Sequence, residues 1–147
     1  MTSETEDISR VVSNEINFML YNYENIEKLI EERKIEMIEF INLSYSNWSK
    51  AKTQIISYTA DDLIEDFETD KTIIKLSRCK KFLNEYIKHL LMEKDKIFYL
   101  VLDLKYLKKY NQDLILDNLN LSKKELNYID MNIKKDIYIN ASSLGLI

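Results

Sequence analysis

Apolar residues recur every three or four positions along most of this chain, and that spacing predicts helices. Ile8, Val12, Ile16 and Met19 mark one face of a first helix, with Ser3-Glu4-Thr5-Glu6 as its capping box and an end near Tyr21 or Asn22. Ile26, Leu29, Ile30, Ile35, Ile38 and Ile41 mark a second, inside a charged stretch. Nothing at Asn22-Tyr23 forbids helix, so the spacing leaves open whether these two are separate. The segment 42–59 is rich in Ser, Thr and Asn and reads as a linker. A third helix is expected to begin between Asp61 and Thr69 and to run to about Leu91, burying Ile73, Ile74, Phe82, Leu83, Tyr86, Ile87, Leu90 and Leu91. Glu93-Lys94-Asp95 breaks the pattern, and a fourth helix offers Ile97, Phe98, Val101, Leu104 and Leu107 for burial.

The last third carries the most information. Lys108 to Asn111 form a turn into a short helix, Gln112 to Asn118, followed by Leu119-Asn120-Leu121 and a second helix opened by Ser122. Ser122-Lys123-Lys124-Glu125 fits the capping box, in which the Ser hydroxyl and the Glu carboxylate satisfy each other's backbone N–H groups. Leu126, Ile129, Ile133 and Ile137 give the new helix one buried face. Two helices joined by so short a turn must cross steeply, which exposes the first turns of the second. That is the geometry of a DNA-reading helix-turn-helix. The fold expected is all-α: an N-terminal helical hairpin (1–43), a linker (44–60) and a C-terminal bundle (61–147) with a helix-turn-helix at 111–139.

Composition narrows the field. The chain has 147 residues, no Pro and one Gly, Gly145, which argues against the turn chemistry of a sheet protein. Apolar residues make up 46%, enough for a core. No apolar run is long enough to cross a bilayer and the N-terminus is acidic, so a cytoplasmic protein with no membrane partner is expected. Cys79 stands alone and His89 stands alone; a metal site needs further ligands at the right spacing. Ten residues of one helix would hold these two about 15 Å apart, too far for proton transfer. One glycine cannot build a phosphate loop. Neither cofactor, metal nor enzymatic activity is expected. Glu65, Asp66, Glu68 and Asp70 fit a solvated helix start better than a cation site.

Net charge is −4, awkward for a DNA binder, but it is unevenly spread. From Met92 onward nine lysines face eight acidic residues, leaving −5 upstream. Phosphate contacts supply much of the affinity in protein–DNA complexes. Weak binding is therefore expected of the chain alone, strengthened by a homodimer or a second protein.

The C-terminal pattern resembles region four of bacterial sigma factors and, more closely, the RinA/ArpU-type phage late-transcription regulators. Leu20-Tyr21-Asn22-Tyr23 before a charged helix is similar to that group's N-terminal signature. Phe98 to Leu107 with Lys108-Lys109, Asn111 to Ile115, Leu119-Asn120-Leu121-Ser122 and the closing Leu144-Gly145-Leu146 carry the rest. The chain departs from the group at Leu116, where a small residue is usual, and in having no Arg after Arg78. Lys acts as a point charge where Arg would grip guanine bidentately.

The resemblance implies a phage or prophage transcriptional regulator that binds double-stranded promoter DNA and activates late genes with RNA polymerase. Lys123, Lys124, Asn127, Tyr128, Met131 and Lys134, with the cap Ser122, would then face the groove, and Lys105, Lys108, Lys109 and Lys135 the backbone. Without the resemblance, the same residues read as the solvated face of a bundle. Asp130 is placed on or near the outward face, where it would repel phosphate. Trp48 reads as a plug between hairpin and bundle, and the ten tyrosines as packing residues. The alternative is a helical protein–protein adaptor that binds polymerase or another host protein, with a vestigial helix-turn-helix.

Overall fold

The computed structural model describes residues 10–51 and 59–146, with only the backbone of 44–51. The chain is all-α, and no β-strand occurs among the described residues. Seven α-helices are described: α1 (Arg10–Tyr21), α2 (Ile26–Ala51), α3 (Ala60–Thr69), α4 (Lys71–Met92), α5 (Ile97–Leu102), α6 (Gln112–Leu119) and α7 (Lys123–Ser143). A 3₁₀ turn at Tyr23–Asn25 separates α1 from α2, and α5 continues as a π-helical turn at Asp103–Leu107. No helix is long and apolar enough to cross a membrane among the described residues.

The helices group into two compact units, one of Met1–Glu24 with Cys79–Ile147 and one of Asn25–Arg78. This differs from the division into 1–43, 44–60 and 61–147. The expected linker is helical as far as Ala51, because α2 continues through its Ser- and Asn-rich stretch. Residues 52–58, the Trp48 side chain and the capping box at Ser3 lie outside what is described. Helix α1 belongs with the C-terminal helices rather than with α2.

The larger unit holds the main core. Ile16, Met19 and Leu20 of α1 are buried, as are Leu83, Tyr86 and Leu90 of α4 and Val101 and Leu102 of α5. From α7, Leu126, Ile129, Ile133, Ile137 and Ala141 complete it. Helix α7 packs on both α1 and α5, and α6 packs on α5 and the π-helical turn. Polar contacts pin the seams. The Tyr23 hydroxyl donates to Asn84, and Lys80 donates to the Tyr23 carbonyl at 3.2 Å while its ammonium sits over the Tyr23 ring. The Tyr86 hydroxyl donates to Asp136 across α4 and α7 at 3.4 Å. Burial, with Asp136 nearby, pushes the Tyr86 hydroxyl up from its ordinary value; burial likewise raises the Asp136 carboxyl.

The smaller unit is thinly packed. Among its described residues only Ile26 and Ile73 are buried apolar side chains. The expected third helix is two helices, because Asp70 leaves helical geometry (φ −68°, ψ 125°) and caps α4. The Asp70 carboxylate accepts from the Ile73 N–H at 3.0 Å and its carbonyl from the Ile74 N–H at 2.9 Å. Helix α3 starts at Ala60 because Thr59 and Asp62 form a reciprocal capping box. Ile35 and Ile38, expected in the core by their spacing, are instead exposed, with Phe40 and Leu43 still more so at 70% and 64%.

Candidate nucleic-acid interface at the start of α7

Local chemistry fixes the segment from Asn111 to Glu125. Asn111 opens α6, its side chain accepting from the Leu114 N–H at 2.9 Å. Asn120 closes it in the left-handed region, φ +53°, a conformation Asn tolerates better than most residues. The Leu121 N–H then returns to the Leu116 carbonyl at 3.1 Å, and Leu116 itself is half-buried. Ser122 and Glu125 form the reciprocal capping box, with both bonds at 3.1 Å. At the far end, Gly145 (φ +74°) donates to the Ser142 carbonyl and Leu146 to the Ala141 carbonyl, a Schellman closure that buries Leu146.

The capped turn presents one set of the expected residues together. Lys123, Lys124, Asn127, Tyr128 and Met131 are all exposed on α7, while Leu126, Ile129 and Ile133 hold the opposite face in the core. Tyr128 is 67% exposed, far more than packing alone requires of an aromatic side chain. Neither Lys123 nor Lys124 makes an ion pair among the described residues. Lys109 is exposed in the preceding turn, with φ +59°.

Other expected site residues are engaged elsewhere. Lys105 donates to Asp130 Oδ2 at 2.8 Å, and Lys134 lies 3.5 Å from the same oxygen. Lys108 pairs with Asp103 at 3.2 Å, which raises its ammonium above the ordinary lysine value. Ser122 is committed to the cap. The lysine-rich face predicted from sequence is therefore partly neutralised.

Asp130 corrects the expectation of an outward carboxylate. It is buried, four residues after Leu126 and three before Ile133, inside the apolar stripe of α7. Its charge is compensated there by the two lysines and by the Tyr106 hydroxyl, which donates to Oδ1. Tyr106 is fully buried, its ring edge-on to Tyr21 of α1 at 4.8 Å. Burial foremost, and then Asp130, pushes the Tyr106 hydroxyl far above its ordinary value, so it stays a donor. The period of α7 carried the signal for Asp130, whereas its partners 24 and 25 residues upstream were invisible to any local pattern.

His89, Cys79 and the acidic run from Glu65 to Asp70 all belong to the described residues. No group of three or more His, Cys, Asp or Glu side chains is placed to hold a metal ion among them. His89 pairs with Glu93 at 3.2 Å and Cys79 is buried. Asp70, the last of the acidic run, is held by Arg33. No family model, curated protein or solved structure matches this chain.

Proposed function

We propose that the chain is a phage- or prophage-type transcriptional regulator that binds promoter DNA through the first turns of α7. The observation that carries this is the capped start of α7. It holds Lys123, Lys124, Asn127 and Tyr128 outward on one rigid helix whose other face is locked into the core. Asn127 suits an adenine edge, the lysines suit guanine or phosphate, and Tyr128 and Met131 suit apolar contact with a thymine methyl. With so few unpaired cations, affinity depends on a second copy or on RNA polymerase, and the site of action is the bacterial cytoplasm. The charge reversal Lys123→Glu with Lys124→Glu tests this in a mobility-shift titration. Loss of DNA binding with an unchanged melting curve supports it; unchanged affinity refutes it.

One observation favours a second reading, a helical adaptor that meets polymerase or another protein without touching DNA. Ile35, Ile38, Phe40 and Leu43 project from α2 into solvent, and exposed apolar groups clustered on one element often mark a partner surface. Crosslinking to polymerase that survives the lysine reversal but not Phe40→Asp with Leu43→Asp favours the adaptor.

A further inference from the structure

The cluster around Asp130 has more than a packing consequence. Two ammonium groups converge on one carboxylate oxygen, Lys105 at 2.8 Å and Lys134 at 3.5 Å, so the set keeps one surplus positive charge. Asp130 is nearly closed to solvent, with 12% of its side chain exposed, whereas Lys105 and Lys134 keep 28% and 21%. The lysines thus form the solvent side of the cluster and the carboxylate its protein side.

A lysine ammonium has three donors, so one bond to Asp130 leaves the others for an incoming oxygen. Tyr106, fixed in the core, occupies the other oxygen of Asp130 and holds the carboxylate in place. Both lysines are therefore ordered before any ligand arrives, which removes part of the side-chain entropy that flexible lysines lose on binding. We propose that Lys105 and Lys134, held by Asp130, form a preorganised site for a phosphate group, taken here as a phosphodiester of duplex DNA.

The placement suits that ligand. Lys134 lies eleven residues after Lys123, about 16 Å along the helix axis. A helix that enters the major groove with its first turns brings its later turns toward the flanking backbone. The site rests on the DNA-binding reading for its physiological ligand, though its anion chemistry does not.

The test uses the full chain and a short duplex carrying its selected sequence, with Lys105→Gln, Lys134→Gln and, as a control in the smaller unit, Lys75→Gln. The slope of log affinity against log salt should fall by about one in each of the first two variants and stay unchanged in the control. Melting curves identify any loss that comes from unfolding. Because either lysine can be lost while Asp130 keeps its remaining partners, one folded variant suffices. An unchanged slope in a folded variant, with duplex binding intact, overturns the inference and leaves the DNA reading standing. If the wild-type chain binds no duplex, inorganic phosphate is titrated while the lysine side-chain NMR signals are followed. Saturable shifts at Lys105 and Lys134 then uphold the anion site independently of the DNA reading, and silent signals overturn the anion site.

Discussion

Arg33 grips Asp70 with two parallel hydrogen bonds, Nε to Oδ2 at 3.1 Å and Nη2 to Oδ1 at 2.8 Å, and the same carboxylate caps α4. One side chain therefore ties α2 to the α3–α4 break and opens the next helix. Hydrogen bonding from Arg33 foremost holds the Asp70 carboxyl below its ordinary value of 3.8.

The pH dependence follows with a definite sign. A depressed carboxyl contributes stability that is complete above the ordinary carboxylate range and is lost as pH falls through that range to the depressed value. Asp70→Asn should lower the melting temperature at neutral pH, and the gap to wild type should close in acid. A gap that stays constant across a pH series would contradict the role given to the Arg33–Asp70 pair. Asp136 should behave oppositely, because burial raises its carboxyl. Its contribution favours the fold below the ordinary carboxylate value and disappears as pH rises through the raised one. Asp136→Asn should therefore raise stability at neutral pH relative to acid, and thermal melts at both pH values check it.

Tyr106→Phe removes one hydroxyl from a filled site. The bond it deletes ends on a charged carboxylate, so the loss should be about 2 kcal/mol by denaturant unfolding. Asp130 keeps Lys105 and Lys134, so the variant should still fold. A loss near zero would mean that the Tyr106–Asp130 bond does not hold α7 against the π-helical turn.

The turn before α7 makes a separate prediction. Ser122→Ala should cost about 1 kcal/mol, because the Glu125 N–H at the helix start loses the Ser122 hydroxyl that accepts it. Asn120→Val should cost a similar amount, about 1 to 2 kcal/mol, since a β-branched residue resists the left-handed conformation. Asn120→Gly should be nearly neutral. A stabilising Asn120→Val would show that the turn adopts another conformation in solution.

Local signals made much of this legible in advance. The Ser122–Glu125 box, the turn at Lys108 to Asn111 and the break at Glu93 to Asp95 depend on side chains bonding to backbone a few residues away, so sequence spacing reveals them. The split at Asp70 was missed because Asp carries no obligatory break, and its partner Arg33 lies 37 residues upstream. Helix α2 overran the expected linker because Ser and Asn disfavour helix interiors only weakly. For the candidate site, exposure of Lys123, Lys124, Asn127, Tyr128 and Met131 followed from the helical period. The pairing of Lys105 with Asp130 did not, since it joins residues 25 apart, whereas the Lys134–Asp130 pair has the local i,i+4 spacing of a helix.

The most direct test of the central claim is selection from a random duplex library by the purified chain at low and moderate salt. One enriched motif, lost in the Lys123→Glu, Lys124→Glu protein, is the result expected of a helix that reads DNA with its first turns. No enrichment at either salt, with RNA polymerase present as well as absent, would contradict it and leave the exposed face of α2 as the working surface of an adaptor.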